Sequence, residues 1–532
     1  MISRRLFYMI PIFLLMAVLG TALAQLPTAT ILGVVKDSSG AVVPEATVTA
    51  RNIDTGQTRA ASTSADGSYR LSALPVGNYE VRVEHPGFQT TVRSGLTLAV
   101  SQEAVLPVTL EVGAVEQTVA VTAEAPLVNT TSGSLGGLVD ERKVADLPLN
   151  GRNYIDLTLL QPGIVENKTL GRAAVMTGTW FSSNGSPLRS NNYLLDGASL
   201  VSMVGGSSAS LSGSTLGVEG IREYRLVTNF FSAEYGMTMG SQMIIVSKSG
   251  TNSFHGSLFE YLRNSALDAR NFFDRRTAIT PRRLPPFARN NFGASTGGPL
   301  KKDKTFVFGV YEGLRERVGI TTTTNVIPRA AKVDGGVVPQ IEPVIKPLLA
   351  LYPDPNLLAT NQYTFPFSQP TTENYGQMRA DHTFSARDTI FGRYTIDDAQ
   401  QRKPLAYPQF IDILASRGQY STLSESRIVS ATLLNTFRFS YSRFMTDIQS
   451  PSGIIGPQYS LVPGLEIGGI GVGGFTTLAP DTNAPQLRKQ NIFTWSDDIF
   501  YTRARHSLKF GMLINRYQQY IQIGRASCRE RV

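Results

Sequence analysis

Between residues 252 and 522, apolar and polar side chains alternate with a period of two. The alternation runs over segments of about ten residues each. In Thr436–Phe444, Phe437, Phe439 and Tyr441 alternate with Thr436, Arg438, Ser440 and Ser442. In Ser507–Tyr517, Leu508, Phe510, Met512 and Ile514 alternate with Ser507, Lys509, Gly511 and Asn515. Phe493, Trp495, Ile499 and Tyr501 alternate with Thr494, Ser496, Asp498 and Phe500, and Gln377–Phe384 and Ile390–Ile396 flank a short Ser-Ala-Arg387-Asp388 turn. This spacing sends successive side chains to opposite faces of a strand, whereas a helix would group positions three and four apart. A water-soluble sheet alternates too, but its outer face carries charge. Here charged residues make up only 17% of the chain, against about 25% in soluble domains. Strands that are apolar outside, polar inside and aromatic near their ends describe an antiparallel barrel in an outer membrane.

The two ends read differently. Residues 1–24 have a basic start (Arg4, Arg5), an apolar stretch from Leu6 to Leu19 and Ala22-Leu23-Ala24 before Gln25. That is the pattern of a secretory signal peptide cleaved between Ala24 and Gln25. No cysteine follows the cut to carry a lipid. No later run approaches the roughly 18 apolar residues of a spanning helix. Residues 523–532 (IGRASCRERV) break the preceding pattern and resemble translated sequencing-adapter DNA. On this reading Cys528, the only cysteine, is foreign and the gene continues. A disulfide framework or a cysteine zinc site is excluded. The histidines at 85, 255, 382 and 506 lie far apart without metal-ligand spacing, so neither a metal nor another cofactor is expected. The net charge of +9 comes from scattered Lys and Arg, including those at both ends, and does not point to nucleic acid.

Residues 26–112 show short apolar runs separated by turn chemistry, as in a small β-sandwich. Strands are expected at Ile31–Lys36, Ala46–Arg51, Tyr69–Leu71, Tyr79–Glu84 and Val105–Leu110, about seven in all. Tyr79, Val81 and Val83 face inward, and Glu80, Arg82 and Glu84 outward. The string G-V-V-x-D-x-x-G-A-x-V-P-x-A-x-V (Gly33 to Val48), followed by D-G-x-Y (Asp66 to Tyr69), L-P-x-G-x-Y (Leu74 to Tyr79) and P-G-F (Pro86 to Phe88), resembles carboxypeptidase regulatory-like domains. The resemblance implies a transthyretin-like sandwich, classed with carbohydrate-binding-like folds, without a catalytic zinc. Tyr69, Tyr79 and Phe88 are expected in the core rather than on a sugar-binding face.

Residues 113–125 read as a linker. Within it, Glu116–Ala123 is a β-prone, proline-free run. It is either one more sandwich strand or a segment resembling the TonB box, in which Thr118, Val119, Ala120 and Val121 would pair with a strand of the periplasmic TonB protein through backbone hydrogen bonds. Residues 126–250 follow with L-P-L-N-G-R-N (Leu147 to Asn153), a helix-like Tyr154–Leu160 ending at Gln161-Pro162-Gly163, strands at Tyr193–Leu195 and Ile221–Val227, and Gly240–Asn252. This order resembles the α/β plug of TonB-dependent receptors, especially the Oar-like ones that carry the same sandwich. Asp196 and Glu223 read as a turn carboxylate and a strand-face glutamate, not as a catalytic pair.

The motifs N-S-F-H-G-S (Asn252 to Ser257), E-Y-x-R-N (Glu260 to Asn264), L-D-A-R-N-F-F (Leu267 to Phe273), N-N-F-G-A-S-x-G-G-P-L (Asn290 to Leu300) and K-D-K-T-F (Lys302 to Phe306) look like the start of an Oar-like barrel. Gly469-Ile-Gly471-Val-Gly473-Gly474 matches a nucleotide-binding pattern in letters only, because Pro480 and the absence of a following helix make it a loop. Arg282-Arg283 and Pro285-Pro286 read as a long connection. Receptors of this kind close with about 22 strands, whereas roughly eight to ten fit in residues 252–522. The resemblance therefore implies a mainly β chain of sandwich, α/β plug and partial outer-membrane antiparallel β-barrel. It further implies a non-enzymatic receptor in the outer membrane of a Gram-negative-type bacterium, with the N-terminal domain periplasmic. Its expected partners are TonB with ExbB and ExbD, outer-membrane lipid and an extracellular ligand such as an oligosaccharide or peptide. No ligand-contacting residue stands out. A surface adhesion protein on the same barrel, or a secreted carbohydrate-binding protein or carbohydrate-active enzyme, are the readings from other classes.

Overall fold

The computed structural model describes residues 27–113, 118–122, 135–167, 178–207, 209–210, 216–229, 236, 238–268, 286–460, 464–503 and 506–522. The signal-peptide and adapter-like segments lie outside the described residues, as do Arg282-Arg283 and Pro285 of the expected long connection.

The first nine strands form the sandwich. One layer contains β1 (Ala29–Asp37), β4 (Ser68–Leu74), β7 (Glu103–Val105) and β8 (Val108–Leu110). The other contains β2 (Thr47–Asn52), β3 (Thr58–Ser62), β5 (Gly77–Glu84), β6 (Thr90–Leu98) and β9 (Thr118–Thr122), in the order β3-β2-β5-β6-β9. Ile31, Val35, Val48, Val81, Val83 and Leu98 are completely buried between the layers. Tyr69 and Tyr79 are buried with them and Phe88 packs at the edge, which keeps the aromatics in the core. The strand expected at Val105–Leu110 is broken at Leu106-Pro107. Leu106 instead gives its carbonyl to the Tyr69 hydroxyl at 2.6 Å. Strands β3 and β6 escape the sequence reading because their Thr, Ser, Arg and Gly residues give little apolar alternation.

The second unit is a five-stranded mixed sheet in the order β10-β15-β16-β13-β14. Its strands are β10 (Leu135–Val139), β13 (Asn192–Leu195), β14 (Ala198–Ser199), β15 (Ile221–Asn229) and β16 (Gln242–Ser247). A separate hairpin pairs β11 (Ile164–Glu166) with β12 (Phe181–Ser183). Helix α1 (Glu141–Asp146) is capped by Asp140, whose side chain accepts from the Lys143 N–H. Tyr154–Leu160 forms the expected helical segment, as a 3-10 helix. Val139, Tyr154, Phe181, Tyr224, Leu226 and Ile245 make the core of this unit.

The third unit is one antiparallel sheet of nine strands in chain order: β17 (His255–Asn264), β18 (Phe287–Lys301), β19 (Thr305–Asn325), β20 (Gln362–Thr383), β21 (Asp388–Pro404), β22 (Ile411–Ser430), β23 (Leu433–Gln449), β24 (Gln486–Arg503) and β25 (His506–Gln522). The count falls within the expected range. The strands are longer than the sequence segments suggested, reaching 22 residues in β20. Sequence alternation marks the part that meets lipid, whereas the ladder continues beyond it through polar runs such as Thr321–Asn325. Connections alternate in length. Residues 302–304, 384–387 and 431–432 are short turns at one end, while 326–361 and the described parts of 450–485 are long loops at the other. By the general rule for such barrels, the short turns face the periplasm and the long loops the outside.

Inside and outside are reversed relative to the sandwich. In β23, Thr436, Arg438, Ser440 and Ser442 are buried, while 41% of the Phe437 surface stays exposed. Phe439, Tyr441, Phe493 and Trp495 form a ring cluster on the outer face, with centroid separations of 5.0–6.2 Å.

Candidate functional site: the plug and its three attachments

The five-stranded unit sits against the polar face of the nine-stranded sheet and is held there by buried charge. The principal contact is Asp196. It follows β13 in a turn where both Asp196 (φ 47°) and Gly197 (φ 84°) are left-handed. A side chain at Gly197 would collide with the Arg438 guanidinium on β23, so glycine lets the turn touch the wall. Asp196 is 1% exposed. Its Oδ2 accepts from Arg393 Nε of β21 at 2.7 Å and from Ser247 Oγ at 2.7 Å, and its Oδ1 accepts from Ser247 N at 3.0 Å. Arg379 of β20 approaches at 3.7 Å and donates to Ser247 Oγ at 2.9 Å. Burial pushes the Asp196 carboxyl up, but Arg393, Arg379 and Ser247 outweigh it and hold the group below the usual carboxylate range. Arg393 also donates to the Leu195 carbonyl and the Thr422 hydroxyl, both at 3.0 Å, so its buried charge is well partnered.

A second contact centres on Arg152 of the L-P-L-N-G-R-N string. Its guanidinium donates to Glu219 at 3.0 Å and to Glu312 of β19 at 3.4 Å, and lies 3.9 Å from the Phe259 ring centroid. The Glu219 N–H donates to Glu312 at 2.8 Å, and Ser257 of β17 donates to Glu219 at 2.7 Å. Burial raises the Glu219 carboxyl, and the Ser257 and Arg152 hydrogen bonds bring it below its ordinary value. Wall amides complete the attachment: Gln377 donates to the Gly220 carbonyl at 3.0 Å, and Gln490 to the Val201 carbonyl at 2.8 Å.

The sandwich attaches on the short-turn side. Val76 and Val100 pack with Val227, Ile244 and Val246 of the plug sheet. The Val100 N–H donates to Glu223 Oε1, Arg222 lies 3.7 Å from Asp54, and Asn252 N donates to the Asp54 carbonyl at 2.8 Å. Asn252 also exchanges two hydrogen bonds with Asp303 in the 302–304 turn. A cavity of about 150 Å³ remains where sandwich, plug and wall meet, bounded by Asp54, Arg222, Asp196, Arg379 and Asp381.

At the opposite end, three loops share one small core. Val326, Ile327 and Tyr352 from the first pack with Tyr407 and Phe410 from the second and Ile467 and Leu478 from the third. Tyr352 donates to the Ile470 carbonyl at 2.9 Å and Tyr407 to that of Thr476 at 2.8 Å. The glycine run at 469–474 thus belongs to an outer loop.

The sequence reading placed Asp196 in a turn and Glu223 on a strand face and did not make them a pair, but it did not foresee their burial. Both are buried, and they serve different attachments, so the structure does not bring them together. Arg152, Arg379, Arg393 and Glu312 were missed as well. A signal was available: Arg393 and Glu312 occupy inward-parity positions of their strands, and a charge on that face needs a partner inside. Thr118–Val121 lie in β9 on the sandwich. Among the described residues no group of three or more metal-ligating side chains occurs, and His85 and His255 are each bonded to nearby carbonyls.

A sheet that is apolar outside and polar inside, with a folded unit latched against its inner face, defines an outer-membrane protein with an internal plug. Residues 246–527 match the outer membrane beta barrel domain family, and residues 30–111 match the carboxypeptidase regulatory-like domain. The chain belongs to the outer membrane beta barrel domain family. It is 28% identical over 313 residues to the TonB-dependent transporter Oar of Myxococcus xanthus, covering 56% of this chain and 28% of that protein. The chain therefore spans little more than a quarter of the curated relative it matches. Among solved structures it is similar to the outer membrane transporter YddB from Escherichia coli (12% identity, TM-score 0.49, 71% of this chain and 47% of that one). It is also similar to the siderophore receptor PirA from Acinetobacter baumannii (13% identity, TM-score 0.41, 72% and 48%). These relatives are named as transporters or receptors rather than enzymes.

Proposed function

We propose that the protein is a TonB-dependent receptor that moves an extracellular ligand across the outer membrane. Residues 26–112 would be the periplasmic sandwich, 113–125 the linker with the TonB contact, 126–250 the plug and 252–522 barrel wall. The observation that carries this reading is the latch between Asp196 and Arg393, with Arg152 and Glu312 beside it. A plug tied to the wall by a few buried ion pairs is stable at rest, yet its bonds are discrete and can be exchanged when a force or a ligand acts on it. The ligand, an oligosaccharide or peptide, would bind among the long loops. TonB, driven by ExbB and ExbD, would take hold of Thr118, Val119, Ala120 and Val121. No covalent chemistry is required of any residue.

The test is site-directed cross-linking in a Cys528→Ser background. Single cysteines at positions 118 to 121 are paired with cysteines along the edge strand of a purified periplasmic TonB domain. Alternating strong and weak cross-links along the four positions are expected. If none forms a product, the transport reading falls, and a surface adhesion role on the same barrel replaces it.

A further inference from the structure

The segment assigned to the TonB contact is not a free peptide. Residues Thr118–Thr122 form the last strand of the sandwich sheet, parallel to β6, with Thr90 opposite Thr118 and Ser94 opposite Thr122. Among the described residues β9 pairs with β6 alone, which leaves its second edge open. The register runs without a bulge.

Resting on the transport reading above, we propose that the sandwich is itself the docking platform: β9 stays on β6, and a strand of the periplasmic partner adds to its open edge. Edge strands normally protect themselves with charge, proline, a bulge or extreme shortness. The other sandwich edges do so, with Arg59 in β3, Arg70 in β4, Glu103 in β7 and only three residues in β8. The β9 sequence, T-V-A-V-T, has five residues and none of these guards. Such an edge accepts another chain's backbone in register, and the occupant it fits is a protein that presents its own unpaired strand. Addition keeps the five-residue β6 pairing, whereas extracting the peptide first would sacrifice it and bare β6 instead.

The position also explains what the sandwich contributes. Strand β6 ends at Leu98, and two residues later the Val100 N–H donates to Glu223 of β15. A partner on β9 is thereby joined through β6 and Val100 to the central strands of the plug sheet. Pull on the partner reaches the plug through the folded sandwich as well as along residues 123–134.

The experiment pins the strand. A Val92→Cys/Ala120→Cys pair, opposite each other in the ladder and within disulfide reach for neighbouring strands, is made in the Cys528→Ser background. Affinity for the purified periplasmic TonB domain is measured on the detergent-solubilised protein, oxidised and reduced. Platform docking predicts that the two affinities agree within about threefold, and that the amides of Thr90–Ser94 keep their hydrogen-exchange protection in the complex. A loss of tenfold or more on oxidation, restored by reduction, overturns the proposal in favour of strand release. If the reduced form and the parent both fail to bind, the transport reading fails with it, which separates the two failures.

Discussion

The sandwich and the barrel wall use the same alternation for opposite purposes. In β2, Val48 and Ala50 are buried and Thr47 is exposed. In β23 the buried set is Thr436, Arg438, Ser440 and Ser442, and the aromatics face out. Period two states only that a strand has two unlike faces. Which face is buried depends on the solvent outside, water for one sheet and hydrocarbon for the other. The sharpest way to break the comparison is to put a charge on each of the two apolar sets. Val81 lies at 0% exposure in the sandwich core, so Val81→Asp buries an unpaired carboxylate and should cost about 4–5 kcal/mol. Loss of the folded sandwich in urea, with the barrel's heat-modifiable band on gels unchanged, is the expected result.

The wall's inner face tolerates charge because the plug supplies partners. Asp196→Ala strands Arg393 beside an empty site, and breaking a buried pair in this way costs about 3–5 kcal/mol. The plug should then loosen while the wall persists, read as faster hydrogen exchange in residues 192–199 and entry of large antibiotics into cells. A smaller effect is expected on the lipid side. Phe439→Arg places a charge in the aromatic cluster and should cost about 2–4 kcal/mol near the membrane midplane, less toward an interface. Urea titration of the protein refolded into lipid vesicles measures it, and Phe439→Leu should be nearly silent. A soluble protein of this sheet would invert the last pair.

How much could be read in advance follows from the same distinction. The membrane strands were legible from residues such as Phe437 to Ser442, because hydrocarbon on one face favours alternation over most of their length. The sandwich was legible through Tyr79–Glu84 and its turns, but β3 and β6 were not, since Thr, Ser and Arg can line a half-covered strand without leaving a pattern. The attachments were the least legible. Asp196 and Arg393 are 197 positions apart, and nothing local in the D-G turn tells a surface carboxylate from one inserted against a wall arginine. Only the rule that a buried charge needs a partner hints at the pairing, and it does not say which partner. The edge strand β9 is intermediate. Its extended, proline-free character was plain, but whether the sandwich or another protein holds it depends on tertiary pairing.

The smallest predicted effect separates the two attachments of the plug. Toward the wall, Asp196 is held below the carboxylate range by two arginines. Toward the sandwich, Glu223 is raised above its ordinary value of 4.5, because burial outweighs the Val100 N–H and the more distant Arg222 and Arg225, with Asp140 adding to the rise. The two therefore respond to pH with opposite sign. Stability from Asp196 is present above the usual carboxylate range and fades only as pH falls through its lowered value. Docking through Glu223 favours the protonated form, so its contribution is complete below 4.5 and is lost as pH rises through the raised value. Each unit of that elevation corresponds to about 1.4 kcal/mol. Hydrogen exchange at Val76 and Val100 should accordingly speed up as pH rises above the ordinary carboxylate range, beyond the intrinsic base dependence, while residues 192–199 show no such excess. Glu223→Gln keeps an acceptor for the Val100 N–H but cannot ionise, so it should flatten the sandwich response and leave the wall latch untouched. If the excess survives in the glutamine variant, Glu223 is not the titrating group at this joint, and the contrast between a charge-locked wall and a proton-sensitive sandwich contact is lost.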